Sequence, residues 1–217
     1  MATEQETLAV AAKSILDYDV TKAEEIAKEG LASGIDPIAM LEKGFIAGIT
    51  EIGNLFDKGE IWLPELILAA DAMQAASVIC EAAIPKGTLK AKKKVVIGTV
   101  AGDIHDIGKS IVASVLSANG FEVYDLGRDI STETFVEKTR ELEPDVVGAS
   151  ALLTFTMGGQ KKLVEGLKEA GLRDKVKVIV GGAPVNQAWA ESIGADAYAE
   201  SAATAVTKVK ELTGLQF

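Results

Sequence analysis

The 217-residue sequence predicts an α/β protein: an N-terminal four-helix bundle followed by a flavodoxin- or Rossmann-like domain built on a five-stranded parallel sheet. Three observations predict it. The apolar positions follow a helical period up to about residue 88 and then switch to short β-branched runs alternating with amphipathic stretches. Residues 1–88 carry 6 Lys, no Arg and 15 acidic residues, a net charge of −9, against −1 for residues 89–217. The segment Pro85–Lys94, rich in lysine with a proline and a glycine, reads as a linker or hinge between the two. The expected domains are therefore 1–88 and 89–217.

In the first half, Thr21-Lys22-Ala23-Glu24 fits a capping box, in which a hydroxyl and a carboxylate cover orphan amides. Gly34 stands where that helix should stop. Asp36-Pro37 is an N-cap followed by proline at the first helical position. Leu63-Pro64-Glu65 opens a fourth helix, along which Leu66, Ala69, Ala70, Met73 and Cys80 recur at helical spacing. In the second half, strands are expected at Val95–Val100, Glu122–Leu126, Val146–Leu152, Val178–Val180 and Ala195–Ala199. Helices are expected over Lys109–Ala118, after Ser131, and to about Leu212 at the end. Strand–helix repetition implies a parallel sheet covered on both faces, with ligands at the C-terminal strand ends.

Composition narrows the function. The formal net charge of −10 opposes nucleic acid and anionic membranes as partners. The single cysteine, Cys80, cannot close an intrachain disulfide or build a thiolate metal site. The N-terminus carries acids where a signal peptide needs basic residues, and no uninterrupted apolar run approaches a membrane span of about 18 residues. A cytoplasmic location is the expectation.

The loop after the first strand reads Gly102-Asp103-Ile104-His105-Asp106-Ile107-Gly108-Lys109-Ser110. A phosphate loop fails on length, with one residue too many before Gly-Lys-Ser, and on charge, with two acids where bare amides should cradle an anion. His105 is the only histidine in the chain. Asp103, two residues earlier, can accept a hydrogen bond from one ring nitrogen, the usual arrangement for a metal-ligating imidazole. One histidine and one cysteine cannot build a zinc site from the usual nitrogen and sulfur ligands. A single protein ligand makes chemical sense when a prosthetic group such as a macrocycle supplies the rest.

Asp103-x-His105-x-x-Gly108, then Ser150-x-Leu152, then Gly181-Gly182, resembles the cobalamin-binding signature shared by cobalamin-dependent methionine synthase, the carbon-skeleton mutases and the corrinoid proteins of methyltransferase systems. Phe56–Glu65 resembles the helix–turn–helix corner of the cap domain in the methyl-transferring members. The resemblance implies cobalamin, as methylcobalamin or cob(I)alamin or a related corrinoid, bound with its own base displaced and His105 as the lower cobalt ligand. It implies cofactor contacts from Gly102, Asp103, Ile104, His105, Asp106, Ile107, Gly108, Ser150, Leu152, Thr154, Gly181, Gly182 and Ala202, with the small residues leaving clearance for the nucleotide tail. Asp103 and the hydroxyl of Thr156 would couple release of the imidazole to proton uptake. Phe56 and Leu63 would cover the methyl group, in a cap that swings aside about the 85–94 segment when a partner docks.

The function so implied is a methyl carrier. It would accept a methyl group on cobalt(I) from a substrate-specific methyltransferase and pass it to a methyl-acceptor methyltransferase acting on tetrahydrofolate or a thiol. A corrinoid reductive activase is a third expected partner. A chain of this length has no room for a substrate barrel of about 250 residues. Methylamines, methanol, betaines and methoxylated aromatics are donors in the family, and the residues do not separate them. A cobalamin-dependent sensor or regulator, a mutase cobalamin subunit and a flavin-binding domain are the alternatives.

Overall fold

The structure is a computed structural model that describes residues 3–84 and 92–214. Residues 85–91 of the expected linker lie outside the described residues. The chain divides into two compact units, the first running to Ala91 and the second starting at Lys92.

The first unit is helical: α1 (Glu4–Leu16), α2 (Val20–Ala32), a third helix assembled from α3 (Pro37–Ala39), a π-helical turn (Met40–Phe45) and α4 (Ile46–Asp57), and α5 (Leu63–Ala83). Asp36 caps the third helix and Pro37 opens it, as the sequence predicts. The expected capping box at Thr21 is not formed. Asp19 is the N-cap of α2, its carboxylate accepting the Lys22 N–H at 2.9 Å, while Thr21 sits in the first turn and Glu24 pairs with Lys28. The positive φ of Tyr18 (59°) ends the preceding segment and delivers Asp19 to that position. Alanines and glycines let the helices approach closely. A side chain at Gly48 would lie 2.5 Å from the Ala12 carbonyl, so α1 and α4 meet there backbone to backbone. Phe45, Ile15, Met40, Ile49, Ile52 and Leu66 fill the bundle core. By length and composition alone α5 would cross a membrane, but Leu66, Ala69, Ala72, Met73, Ala76 and Cys80 form a buried stripe, as in the core helix of a bundle.

Cys80 lies on that stripe with no exposure. Burial, with the Glu81 carboxylate adding to it, pushes the thiol up to about 11. A raised folded-state value means this group's contribution to stability is complete below about pH 9 and is lost as pH rises toward 11. Cys80 in the native protein is expected to resist an aromatic disulfide reagent at about pH 8 and to react fully in denaturant. Fast labelling without denaturant would contradict this packing.

The second unit alternates strands and helices: β1 (Lys94–Thr99), α6 (Ile107–Ala118), β2 (Glu122–Asp125), α7 (Thr132–Leu142), β3 (Val146–Ser150), α8 (Met157–Glu169), β4 (Lys177–Gly181), α9 (Gln187–Ile193), β5 (Ala197–Ala199) and α10 (Ala202–Thr213). The sheet is parallel throughout, in the order β2-β1-β3-β4-β5. Val96, Val147, Ala149, Val178 and Val180 point toward α7, α8 and α9, where they pack with Phe135, Leu163, Val164 and Leu167. Strand alternation turns Ser150 and Gly181 toward the other face, which α6 and α10 cover. Strand order reverses between β1 and β3, so the loops leaving these two strands bound the crevice where such sheets take ligands.

Candidate functional site

These two loops are joined by one carboxylate. Asp103 is fully buried in the β1–α6 loop. Its Oδ1 accepts the His105 backbone N–H at 3.1 Å and the His105 ring Nδ1–H at 2.7 Å. Its Oδ2 accepts the Leu152 N–H at 2.7 Å and the Thr156 hydroxyl at 2.7 Å, both from the β3–α8 loop. Burial alone would raise the pKa of this carboxyl. The hydrogen bonds from Thr156, Leu152 and His105 outweigh it and hold Asp103 well below the usual carboxylate range. An ionised Asp103 is an acceptor only, so Nδ1 keeps the ring proton and Nε2 presents its lone pair.

That lone pair faces outward. The His105 side chain is 45% exposed, and Nε2 has no hydrogen bond among the described residues. The Thr99 hydroxyl fixes the His105 carbonyl at 3.0 Å. On the same two connections, Ile104 and Ile107 after β1 and Leu152 and Phe155 after β3 are all exposed large apolar side chains. A free imidazole nitrogen on loops that expose large apolar side chains suits a large flat ligand bearing a metal better than a small polar substrate.

The other expected residues fall at the same edge of the sheet. Ser150 and Gly181 are paired last residues of β3 and β4. The expected seventh residue of β3, Leu152, leaves the sheet because its N–H goes to Asp103. A side chain at Gly181 would lie 3.0 Å from the Ala199 carbonyl oxygen, its one neighbour within 4 Å. Gly182 has φ +126° and abuts Ala151. Thr154 is exposed in the β3–α8 loop, and Ala202 begins α10, buried at the exit from β5. Gly102 and Gly108 are exposed on either side of the histidine, and Asp106 precedes α6. Phe56 and Leu63, both half-buried, lie at the end of α4 and the start of α5, in the helical unit. A pocket of about 400 Å³ among Arg140, Glu143, Pro144 and Lys175 is at the opposite edge of the sheet and touches none of these residues.

Lys109 of the Gly-Lys-Ser stretch is committed inside the fold. Its side chain is 1% exposed and ion-paired with Asp125 at the end of β2. Three contacts from the following β2–α7 loop were not legible in sequence. The Gly102 N–H donates to Asp129 Oδ1 at 2.7 Å, the Asp129 N–H donates to the Asp103 carbonyl at 3.0 Å, and Arg128 lies 3.8 Å from Asp106. Asp129 adopts a left-handed φ of 56°, a conformation that Asp tolerates better than most residues. Asp129→Ala is expected to cost about 1 kcal/mol in urea unfolding, through the lost acceptor and the left-handed backbone, with Asp129→Asn nearly neutral. Equal stability of the alanine variant would show that the brace is idle.

Two models of a B12 binding domain match the chain, over residues 93–207 and residues 8–81. The sequence is 52% identical over 212 residues to the trimethylamine corrinoid protein of Methanosarcina barkeri, covering 97% of this chain and 98% of that one. It is 49% identical over 216 residues to dimethylamine corrinoid protein 2 of Methanosarcina acetivorans, covering 98% of each. Among solved structures, the methanol:cobalamin methyltransferase complex of Methanosarcina barkeri contains a chain that superposes with a TM-score of 0.82 at 31% identity, covering 99% of this chain and 82% of that one. With the free imidazole and the apolar side chains exposed on its loops, these likenesses settle the family: the chain belongs to the cobalamin-binding corrinoid proteins of methyltransferase systems.

Proposed function

We propose that this protein is the methyl-carrying corrinoid subunit of a methylamine methyltransferase system, and that it holds the corrinoid through His105 with the corrinoid's own base displaced. The observation that carries this reading is the unpartnered, outward-facing Nε2 of an imidazole whose other nitrogen is locked by a buried carboxylate. When bound, the corrinoid supplies a nucleophilic cobalt that takes up and gives up a methyl group.

The residues divide the remaining work. Asp103 keeps the proton on Nδ1 and aims Nε2, and the Thr156 hydroxyl is the group through which that proton is held or exchanged. Ile104, Ile107, Leu152 and Phe155 offer apolar surface to the ring. Ser150 and Gly181 keep the strand ends small where the displaced nucleotide tail would pass, whereas the space a side chain would need at Gly182 is filled by the Ala151 backbone and not left to the tail. To Phe56 and Leu63 we assign the apolar cover of the methyl group. The methylamine class rests on the names of the relatives, trimethylamine and dimethylamine corrinoid proteins at 52% and 49% identity. A donor-specific methyltransferase loads the protein, a second methyltransferase with a folate or thiol acceptor unloads it, and an activase returns oxidised cobalt to service. The cytoplasm, where a lone thiol such as Cys80 stays reduced, is the compartment this reading assigns.

Because His105 is the only histidine in the chain, isotope labelling tests its role directly. The protein is grown with 15N-histidine, reconstituted with cobalamin and reduced to cobalt(II). The nitrogen splitting in its electron paramagnetic resonance spectrum should change from a triplet to a doublet. A persisting triplet would mean that the corrinoid keeps its own base. Methylation by trimethylamine or dimethylamine with their methyltransferases, and not by methanol with its own, tests the donor class.

A further inference from the structure

Gln160, near the start of α8, is fully buried, and its amide uses both donors on the sheet. Nε2 donates to the Ala149 carbonyl of β3 at 2.9 Å and to the Gly181 carbonyl of β4 at 3.0 Å. Oε1 accepts the Trp189 indole N–H of α9 at 2.9 Å. One side chain therefore spans the C-terminal ends of two strands and is itself held by a second helix. The Gly181 carbonyl also accepts the Ala151 N–H at 3.1 Å, the final rung before the strands part.

The position gives this staple a consequence for the ligand. Gln160 enters from the α8–α9 face, whereas Ser150 and Gly181 turn to the opposite face, where the Ala199 carbonyl oxygen alone bounds the opening within 4 Å of a Cβ placed at Gly181. The separation of β3 and β4 at this point sets the width of that opening. A buried amide with two donors satisfied by carbonyls of different strands resists widening, because any shift strands a polar group that costs about 1–3 kcal/mol to bury unpaired.

We propose that Gln160, fixed by Trp189, is a positioning residue that sets the width of the β3–β4 exit and so the affinity for the nucleotide tail of the corrinoid. The proposal rests on the reading above that the displaced tail enters beside Ser150 and Gly181.

The test compares cobalamin with cobinamide, the same ring lacking the nucleotide tail, by equilibrium dialysis against the full-length apoprotein. The wild-type protein should bind cobalamin more tightly than cobinamide. Equal affinities there would overturn the tail reading itself, before any variant is made. In Gln160→Leu, cobalamin affinity should fall about tenfold or more while cobinamide affinity stays within about twofold, collapsing the preference. Trp189→Phe, which leaves Gln160 in place but removes its anchor, should shift the ratio in the same direction by a smaller factor. If Gln160→Leu does not fold, the Trp189→Phe ratio decides alone. Parallel losses for both ligands, or an unchanged ratio, would show that the staple serves only the fold and would overturn the inference.

Discussion

His105→Ala is expected to leave the protein folded and able to take up corrinoid, but with the spectrum of a cobalt that has no lower nitrogen ligand. The imidazole is 45% exposed, so its removal opens no core cavity. Asp103 would lose one of its four hydrogen bonds and keep those from Thr156, Leu152 and the residue 105 backbone. Apolar contact and the tail remain to hold the ligand. The affinity loss should therefore be about 10- to 100-fold, the range found when the support of a metal site is removed. Absorption spectra of the reconstituted variant and of the wild-type protein provide the measurement. Identical spectra would remove His105 from the metal and with it the central element of the proposed function.

Gly182→Ala should be among the most damaging single-methyl additions in the second unit. A Cβ at this position would lie 1.9 Å from the Ala151 carbonyl oxygen, with the backbone at φ +126°. Neither the strand exit nor a flexible side chain can yield, because the obstacle is backbone. Overpacking and left-handed backbone strain together are expected to cost about 3 kcal/mol or more in urea unfolding. Gly181→Ala is the matched control. Its Cβ would meet only the Ala199 carbonyl, at 3.0 Å, a contact relieved by a shift of a few tenths of an ångström, so the loss should be well below that at Gly182, about 1–2 kcal/mol. Because that methyl would stand in the proposed tail space, cobalamin affinity should drop as well. Similar stability for the two variants would refute the packing described at the β3–β4 exit.

The histidine loop was legible because three independent cues coincide at one place: a strand end, a solitary histidine and an acid two residues before it. The hydroxyl of Thr156 was legible only through the family resemblance, since its partner Asp103 lies 53 residues away. Asp129 was not legible at all. It is an exposed residue whose importance lies in a left-handed backbone and in an amide 27 residues earlier, and neither leaves a periodic trace. The helix α8 escaped notice because it opens Met157-Gly158-Gly159, and because Gln160 takes a core position where an apolar residue would have completed the pattern with Leu163, Val164 and Leu167. That same glutamine is the staple. The seven-residue α9 is too short for a period to show. The end of β3 and the cap of α2 were each misplaced by two residues for one reason: a side-chain carboxylate, from Asp103 in one case and Asp19 in the other, claims an amide that local pattern assigns elsewhere.

Ile104, Ile107 and Phe155 are 66%, 73% and 77% exposed. Left bare, such greasy protrusions favour self-association of the polypeptide. In the proposed docking the flat vitamin shields them from water, each Å² of hydrocarbon contributing about 25 cal/mol. The ligand-free protein should therefore self-associate more readily than the loaded one.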